Sequence, residues 1–196
     1  MLQEQALAIV VGLGNPSRRY KRTRHNIGRM VLERLLDGAA ERGELERWQG
    51  AYELVRCAEL GVILYAPRAY MNVCGEEVAR LARWFKLAPE RLLVLHDDLD
   101  LALGRLQARW GGGDAGHRGV RSITQHLGSG SFYRLRLGIG RPPAGLEAVD
   151  YVLQPFTAAE RELLAKVLAQ AEHEVYQLLD RMQRGEQQTW SLSVCG

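Results

Sequence analysis

Apolar side chains fill almost every position from Leu7 to Leu13 (LAIVVGL), and the run breaks at Gly14, Asn15 and Pro16. A short stretch without alternation, bounded by turn residues, predicts a strand buried on both faces. The periodicity then changes. From Asn26, a residue suited to an N-cap, Ile27, Val31 and Leu35 recur at helical spacing with Met30 and Leu32 beside them, and Gly38 or Gly43 closes the segment. The alternation repeats downstream. Tyr52 to Cys57 and Val62 to Ala66 read as strands, Glu76 to Leu87 as a helix with Val78, Leu81, Ala82 and Phe85 on one side, and Arg91 to His96 as a further buried strand. Leu106 to Trp110 and Tyr133 to Ile139 add strands that bracket a glycine-rich loop and a short helix from about Arg118 to Leu127, stopped by Gly128. In the last helix Thr157 and Glu160 form a capping box. Apolar residues follow from Leu163 through Val167, Ala171, Val175 and Leu178 to Met182, and Gly185 supplies the stop.

This pattern predicts a three-layer α/β/α sandwich around a mostly parallel, mixed central sheet, with sites at the carboxyl ends of strands. Asn15 follows the first strand, Tyr70 to Asn72 follow the Val62 strand and Asp97 follows the Arg91 strand, so three polar turns are expected to converge at one sheet edge. No internal repeat, low-complexity tract or long linker divides the 196 residues, and a single domain over 1–196 is expected. Pro142, Pro143 and Gly145 mark a surface loop. Met1 to Gln5 and Gln187 to Gly196 receive no role.

Composition narrows the class. Hydrophobic residues make up 46% and charged residues 25%, ordinary for a globular chain able to bury one sizeable core. The longest apolar runs are too short to cross a bilayer, and no basic region precedes the first of them, so a soluble, unexported, cytoplasmic protein is expected. Three widely spaced cysteines, Cys57, Cys74 and Cys195, form no C-x-x-C pattern and indicate neither a disulfide framework nor a zinc ribbon. The net charge of +3 is modest, but its distribution is informative. Five cations crowd the seven residues Arg18 to Arg24, and others gather at Arg105, Arg109, Arg118, Arg121, Arg134, Arg136 and Arg141, while acids collect around Asp37 to Glu46 and Glu160 to Glu174. Such segregation is the footprint of a phosphate-binding face.

Candidate chemistry starts at His25, placed between the cationic loop and a helix N-terminus. Both surroundings disfavour protonation, which suits a neutral general base, although a loop histidine that only hydrogen-bonds the chain has the same position. In HDDLD (His96 to Asp100), Asp97 ends a strand and is the candidate to orient that imidazole. The same acids, Asp97, Asp98 and Asp100, would alternatively cap a turn or hold Mg²⁺ for a metal-dependent phosphohydrolase. The loop GGGDAGHRG (Gly111 to Gly119) matches neither a P-loop nor a dinucleotide fingerprint; its glycines would admit a bulky ligand, with Arg109 and Arg118 supplying charge at either end. The chain has no G-x-S-x-G elbow, no H-E-x-x-H and no cysteine in a triad setting, so water is the expected nucleophile and no metal is expected.

In this order, GLGNP (Gly12 to Pro16), Tyr20, TRHNIG (Thr23 to Gly28), YMN with a following glycine (Tyr70 to Asn72, Gly75), HDDLD, GGGDAGHRG and RLRLGIGRP (Arg134 to Pro142) resemble the bacterial type of peptidyl-tRNA hydrolase over nearly the whole chain. The resemblance implies a monomeric, cofactor-free α/β enzyme of translation with no obligate protein partner. It implies hydrolysis of the ester between a peptide and the 3′ end of tRNA, with peptidyl-tRNA as partner and no membrane. It puts the essential histidine on His25 and the orienting aspartate on Asp97. Asn15 and Asn72, with Met71 beside them, fall on the asparagines that hold the peptide and polarise the ester, and His117 on a second site histidine. Tyr20 joins the substrate contacts. Arg109, where the family usually has lysine, and Arg136 fall on the clamp for the tRNA 5′ phosphate, and arginine keeps that charge. One departure stands out: His117, Arg118 and Gly119 replace a common H-N-G, so an amide that donates and accepts becomes a cation that only donates. Either turnover is slowed, or Arg118 turns toward the tRNA backbone and the chemistry stays with His25, Asn15 and Asp97. The second reading is preferred because every other site position is intact. A noncatalytic RNA-binding protein on the same fold is the alternative of another class.

Overall fold

A computed structural model describes residues 8–43, 45–48, 54–57 and 61–194. The strands are β1 (Ala8–Gly12), β2 (Leu45–Trp48), β3 (Leu54–Cys57), β4 (Val62–Tyr65), β5 (Leu92–Asp98), β6 (Arg105–Trp110), β7 (Tyr133–Gly138) and β8 (Trp190–Ser193). They form one sheet in the order β2-β3-β4-β1-β5-β7-β6-β8. The centre, β4-β1-β5-β7, is parallel, and the pairs on both flanks are antiparallel. The sheet is thus mixed around a parallel core. Every residue of β1, β4 and β5 is buried, which is why these segments read as continuous apolar runs.

The helices are α1 (Ile27–Glu41), α2 (Gly75–Trp84), α3 (Arg118–Leu127), α4 (Ala148–Val152) and α5 (Arg161–Gln183). Successive strand residues face opposite ways and so feed two cores. Val10, Leu95 and Leu135 pack with Val31 and Leu35 of α1 and Val175 and Leu178 of α5; Ile9, Val11 and Val94 pack with Val78 of α2 and Val120 and Ile123 of α3. Two glycines set how closely these layers approach. A Cβ on Gly28 would lie 2.1 Å from the Leu95 carbonyl oxygen, and one on Gly75 would lie 2.0 Å from that of Ser122. Any side chain there would force α1 off β5, or α2 off α3.

Most predicted elements are present, with shifted ends. Gly38 lies inside α1, and the chain leaves the helix at Gly43, where φ is +71°. α2 stops at Trp84, short of Leu87. α3 runs over the predicted residues into Gly128, which takes the left-handed conformation at φ +69°. Of the capping box, the Thr157 N–H donates to Glu160 Oε2 at 2.7 Å, and helix α5 begins at Arg161. Leu7, Tyr52, Glu53, Met1 to Gln5, Cys195 and Gly196 lie outside the described residues.

Three elements escaped the sequence pattern. β2 lies just beyond the predicted helix stop at Gly43, in a stretch assigned no element, and it extends the sheet through an antiparallel pair with β3. β8 comes from the unassigned tail and covers the edge of β6; the Trp190 indole N–H donates to Glu174 Oε2 at 2.9 Å, tying it to α5. α4, which follows the predicted surface loop at Pro142 to Gly145, is about a turn and a half, too short to show a helical period.

Candidate active site

The turn carrying His25 is a short 3-10 segment, Arg24–Asn26, that runs directly into α1. Asn26 does not cap the helix with its side chain. Instead its Oδ1 accepts the Asn15 N–H at 2.9 Å and its Nδ2 donates to the Asn15 carbonyl at 3.0 Å, so it locks the turn after β1. Arg24 also departs from expectation. Its guanidinium is buried, bonds both carboxylate oxygens of Glu160 at 2.9 and 3.0 Å, and stacks on Tyr151 at 4.5 Å and Phe156 at 4.9 Å. Of the five clustered cations, Arg24 is structural, while Arg18, Arg19, Lys21 and Arg22 remain exposed.

The turns after β1, β4 and β5 do converge. His25 Nδ1 lies 2.8 Å from Asp97 Oδ1, and His117 Nε2 lies 2.8 Å from the same oxygen. His117 Nδ1 accepts the backbone N–H groups of Gly119 and Val120, both at 3.2 Å, making His117 the N-cap of α3. Those bonds assign its hydrogen to Nε2, pointing at Asp97. With Asp97 accepting from His25 Nδ1, the His25 Nε2 lone pair is left for a ligand. Burial acts to raise the Asp97 pKa, but the electrostatic attraction of the facing His25 and His117 rings and their hydrogen bonds outweigh it and hold the carboxyl well below the usual carboxylate range. Behind this group His96 is buried, with Nδ1 2.8 Å from the Asp97 carbonyl and its ring against His117 at 4.8 Å; burial first, then His117, push its pKa well below the ordinary value.

Asn15 completes the core of the site. Its Oδ1 accepts the Met71 N–H at 3.0 Å, which turns Nδ2 outward. Met71 itself is buried, and a Cβ on Gly119 would lie 2.5 Å from its sulfur, so α3 rests on it. Asn15, His25, Met71, Asn72, Asp97, His117 and Arg118 all line one cavity of about 410 Å³. Tyr70 forms one apolar wall, and Val149, Val152 and Leu153 form the other. The second wall belongs to α4 and its C-cap, and the short length of that helix hid it from the sequence pattern.

Three candidate residues lie elsewhere. Tyr20 does not line the cavity and sits beneath Arg19, 4.4 Å from its ring centroid. Arg109 and Arg136 are on β6 and β7, outside the cavity lining. They share a sheet face with Arg134, since Arg109 pairs with Arg134 across the strands and Arg136 lies two residues on. Arg136 Nε bonds Asp98 Oδ2 at 2.7 Å and its guanidinium also reaches Gln107, whereas Arg109 has no hydrogen-bond partner among the described residues. Arg134, counted in the sequence among the cations of a phosphate-binding face, is instead buried and donates to the carbonyls of Gly112 and Gly113 at 2.7 and 2.6 Å, pinning the glycine loop. Burial, then Arg109 and Arg136, push its pKa down to about 10. A Cβ on Gly112 would meet the Arg109 guanidinium at 2.7 Å, so the glycines make room for the protein's own cations.

The three acids proposed for Mg²⁺ do not form one ligand set. Asp97 takes the two histidines, Asp98 takes Arg136, and Asp100 pairs with Arg141. Among the described residues the cluster with metal-ligand composition is His25, Asp97 and His117, whose ligand atoms lie within 4.8 Å of one another and are joined by the hydrogen bonds above. No helix of the described residues is long and apolar enough to cross a membrane.

Comparison with known proteins shows the family. The family profile described as peptidyl-tRNA hydrolase matches residues 9–193. A peptidyl-tRNA hydrolase of Moorella thermoacetica is 49% identical over 163 residues, covering 83% of this chain and 86% of that protein. One from Thermus thermophilus is 48% identical over 168 residues, covering 86% and 87%. The crystal structure of the peptidyl-tRNA hydrolase from Acinetobacter baumannii superposes with a TM-score of 0.73 at 31% identity, covering 91% of this chain and 95% of that one. With the family profile, these relatives and the fold in agreement, the chain belongs to the peptidyl-tRNA hydrolase family.

Proposed function

We propose that the chain hydrolyses the ester between the peptide and the 3′ end of tRNA in peptidyl-tRNA, with His25 as general base toward water and Asp97 as its orienting partner. The observation that carries this reading is the 2.8 Å contact from His25 Nδ1 to Asp97, which leaves Nε2 to the cavity. Nε2 takes a proton from water as the oxygen attacks the ester carbonyl, and ionised Asp97 stabilises the imidazolium that forms. The Asn15 amide, held by the Met71 N–H, donates to the developing oxyanion. Collapse of the intermediate breaks the bond to the ribose oxygen, which recovers the proton from His25. The products are a free peptide acid and tRNA. Asn72 and Met71, beside the apolar walls, bind the peptide, and His117 holds Asp97 in place.

Arg109 and Arg136, with the exposed Arg18 to Arg22 segment and Tyr20, bind the tRNA through phosphates and carry no base recognition. On this reading the chain acts as a monomer without an obligate protein partner, in the cytoplasm, where peptidyl-tRNA arises.

Purified protein assayed on peptidyl-tRNA, beside aminoacyl-tRNA, tests the reading. His25→Ala is expected to lower turnover by about 10²–10⁴-fold, the range for loss of a general base, while tRNA binding persists. Unchanged turnover removes His25 as the base. Salt-sensitive RNA binding with no ester cleavage by the wild-type protein would favour the noncatalytic alternative.

A further inference from the structure

Charged groups around the cavity are paired with one exception. Asp97 is held by His25 and His117, Asp98 by Arg136, and Asp100 by Arg141. Arg118 lines the same cavity, is exposed at its rim, and has no hydrogen-bond or ion-pair partner among the described residues. It is an uncompensated positive charge facing the space where substrate must lie. Its backbone is anchored, because the neighbouring His117 is fixed at both ring nitrogens, to Asp97 on one side and to the Gly119 and Val120 N–H groups on the other. The guanidinium therefore hangs one residue away from the imidazole that shares the Asp97 oxygen with His25.

We propose that Arg118 binds the phosphodiester on the 5′ side of the terminal nucleotide, the phosphate nearest the reacting ester. This rests on the hydrolytic reading above. In a tRNA 3′ end the ester oxygen sits on the terminal ribose, and the 5′ phosphate of that nucleotide follows after C3′, C4′, C5′ and O5′. An arginine side chain that starts one residue from His117 is long enough to reach a phosphate at that separation, and its planar fork matches two phosphate oxygens. The other oxyanion that could reach the rim is an acidic side chain of the peptide. A phosphodiester is present in every substrate, whereas an acidic residue is not, so the phosphate is the occupant assigned.

Small esters separate these possibilities. The N-acetyl-alanyl ester of adenosine and that of adenosine 5′-methyl phosphate differ only in the phosphodiester, and the N-acetyl-aspartyl ester of adenosine adds a carboxylate instead. Wild-type protein is expected to prefer the phosphate-bearing ester in kcat/KM by about tenfold, as befits one charge-assisted contact at a solvated rim. Arg118→Ala and Arg118→Asn should bring that ratio close to one, and Arg118→Lys should keep part of it. A structural role would lower both esters together and leave the ratio intact, which overturns the assignment. Loss of an aspartyl preference in place of the phosphate preference overturns it as well. If the wild type cleaves peptidyl-tRNA yet ignores the phosphate, this inference alone fails; if it does not cleave peptidyl-tRNA, the hydrolytic reading falls with it.

Discussion

Asp97 owes its behaviour to two imidazoles sharing one of its oxygens. A buried carboxylate is ordinarily pushed toward the neutral form, yet here the paired histidines reverse the direction. Because its folded pKa lies below that of the unfolded chain, near 3.9, Asp97 stabilises the fold fully above about pH 4. That contribution is lost as pH falls toward the folded value. The stability advantage of wild type over Asp97→Asn in urea unfolding should therefore be full at neutral pH and shrink on acidification below about pH 4. An advantage that grew on acidification would contradict the pairing. The His25 and Asp97 partnership was legible in the sequence because each residue stands next to a recognisable element end. Asn26 was not. Its residue type suits a helix cap, and only the approach of the β1 turn offers its amide a better pair of partners, the N–H and carbonyl of Asn15.

At the level of elements, the turn that carries His25 is strapped to the segment that walls the cavity. Arg24 bonds Glu160, its N–H donates to the Gln154 carbonyl at 3.0 Å, and Thr23 bridges to Pro155. Tyr151 of α4 lies under the same guanidinium and donates to the Ile139 carbonyl at 2.8 Å. Glu160→Gln would leave the buried Arg24 charge facing a neutral amide. With Glu160 about a quarter exposed, the expected loss is about 2 kcal/mol, below the range for a fully buried pair. Scanning calorimetry should show it as a drop in Tm of about 4–8 °C. A Tm within a degree of wild type would show that the strap carries no net stability. The sequence pattern counted Arg24 among surface cations, since five basic residues in a row of seven carry no mark of which one turns inward.

Over the whole molecule, exposed charge and buried charge divide the work. Arg134 and Arg24 are spent on holding loops, while Arg109 and most of the Arg18 to Arg24 cluster stay available to a polyanion. Binding of tRNA should weaken steeply with salt. In titrations at several salt concentrations, Arg109→Ala is expected to reduce the log–log salt slope by about 1, as one phosphate contact is removed. An unchanged slope would take Arg109 out of the interface. The parallel centre of the sheet allows this division, because it gathers the turns after β1, β4 and β5 at one rim and leaves Arg109 and Arg136 outside the cavity lining.

The order of strands and helices and the two-sided burial of the central strands were determined by local pattern, which also put His25 and Asp97 at element ends: apolar runs, helical spacing, caps and polar residues at strand ends all act over a few residues. Tertiary structure alone decided which arginine is buried, which histidine caps α3, and that α4 walls the cavity. It also decided that a C-terminal strand closes the sheet edge. Those outcomes depend on partners distant in sequence, such as Arg24 with Glu160 and His117 with Asp97, and on close approaches such as Gly28 on Leu95, where the energy of a group is set by what folding brings beside it.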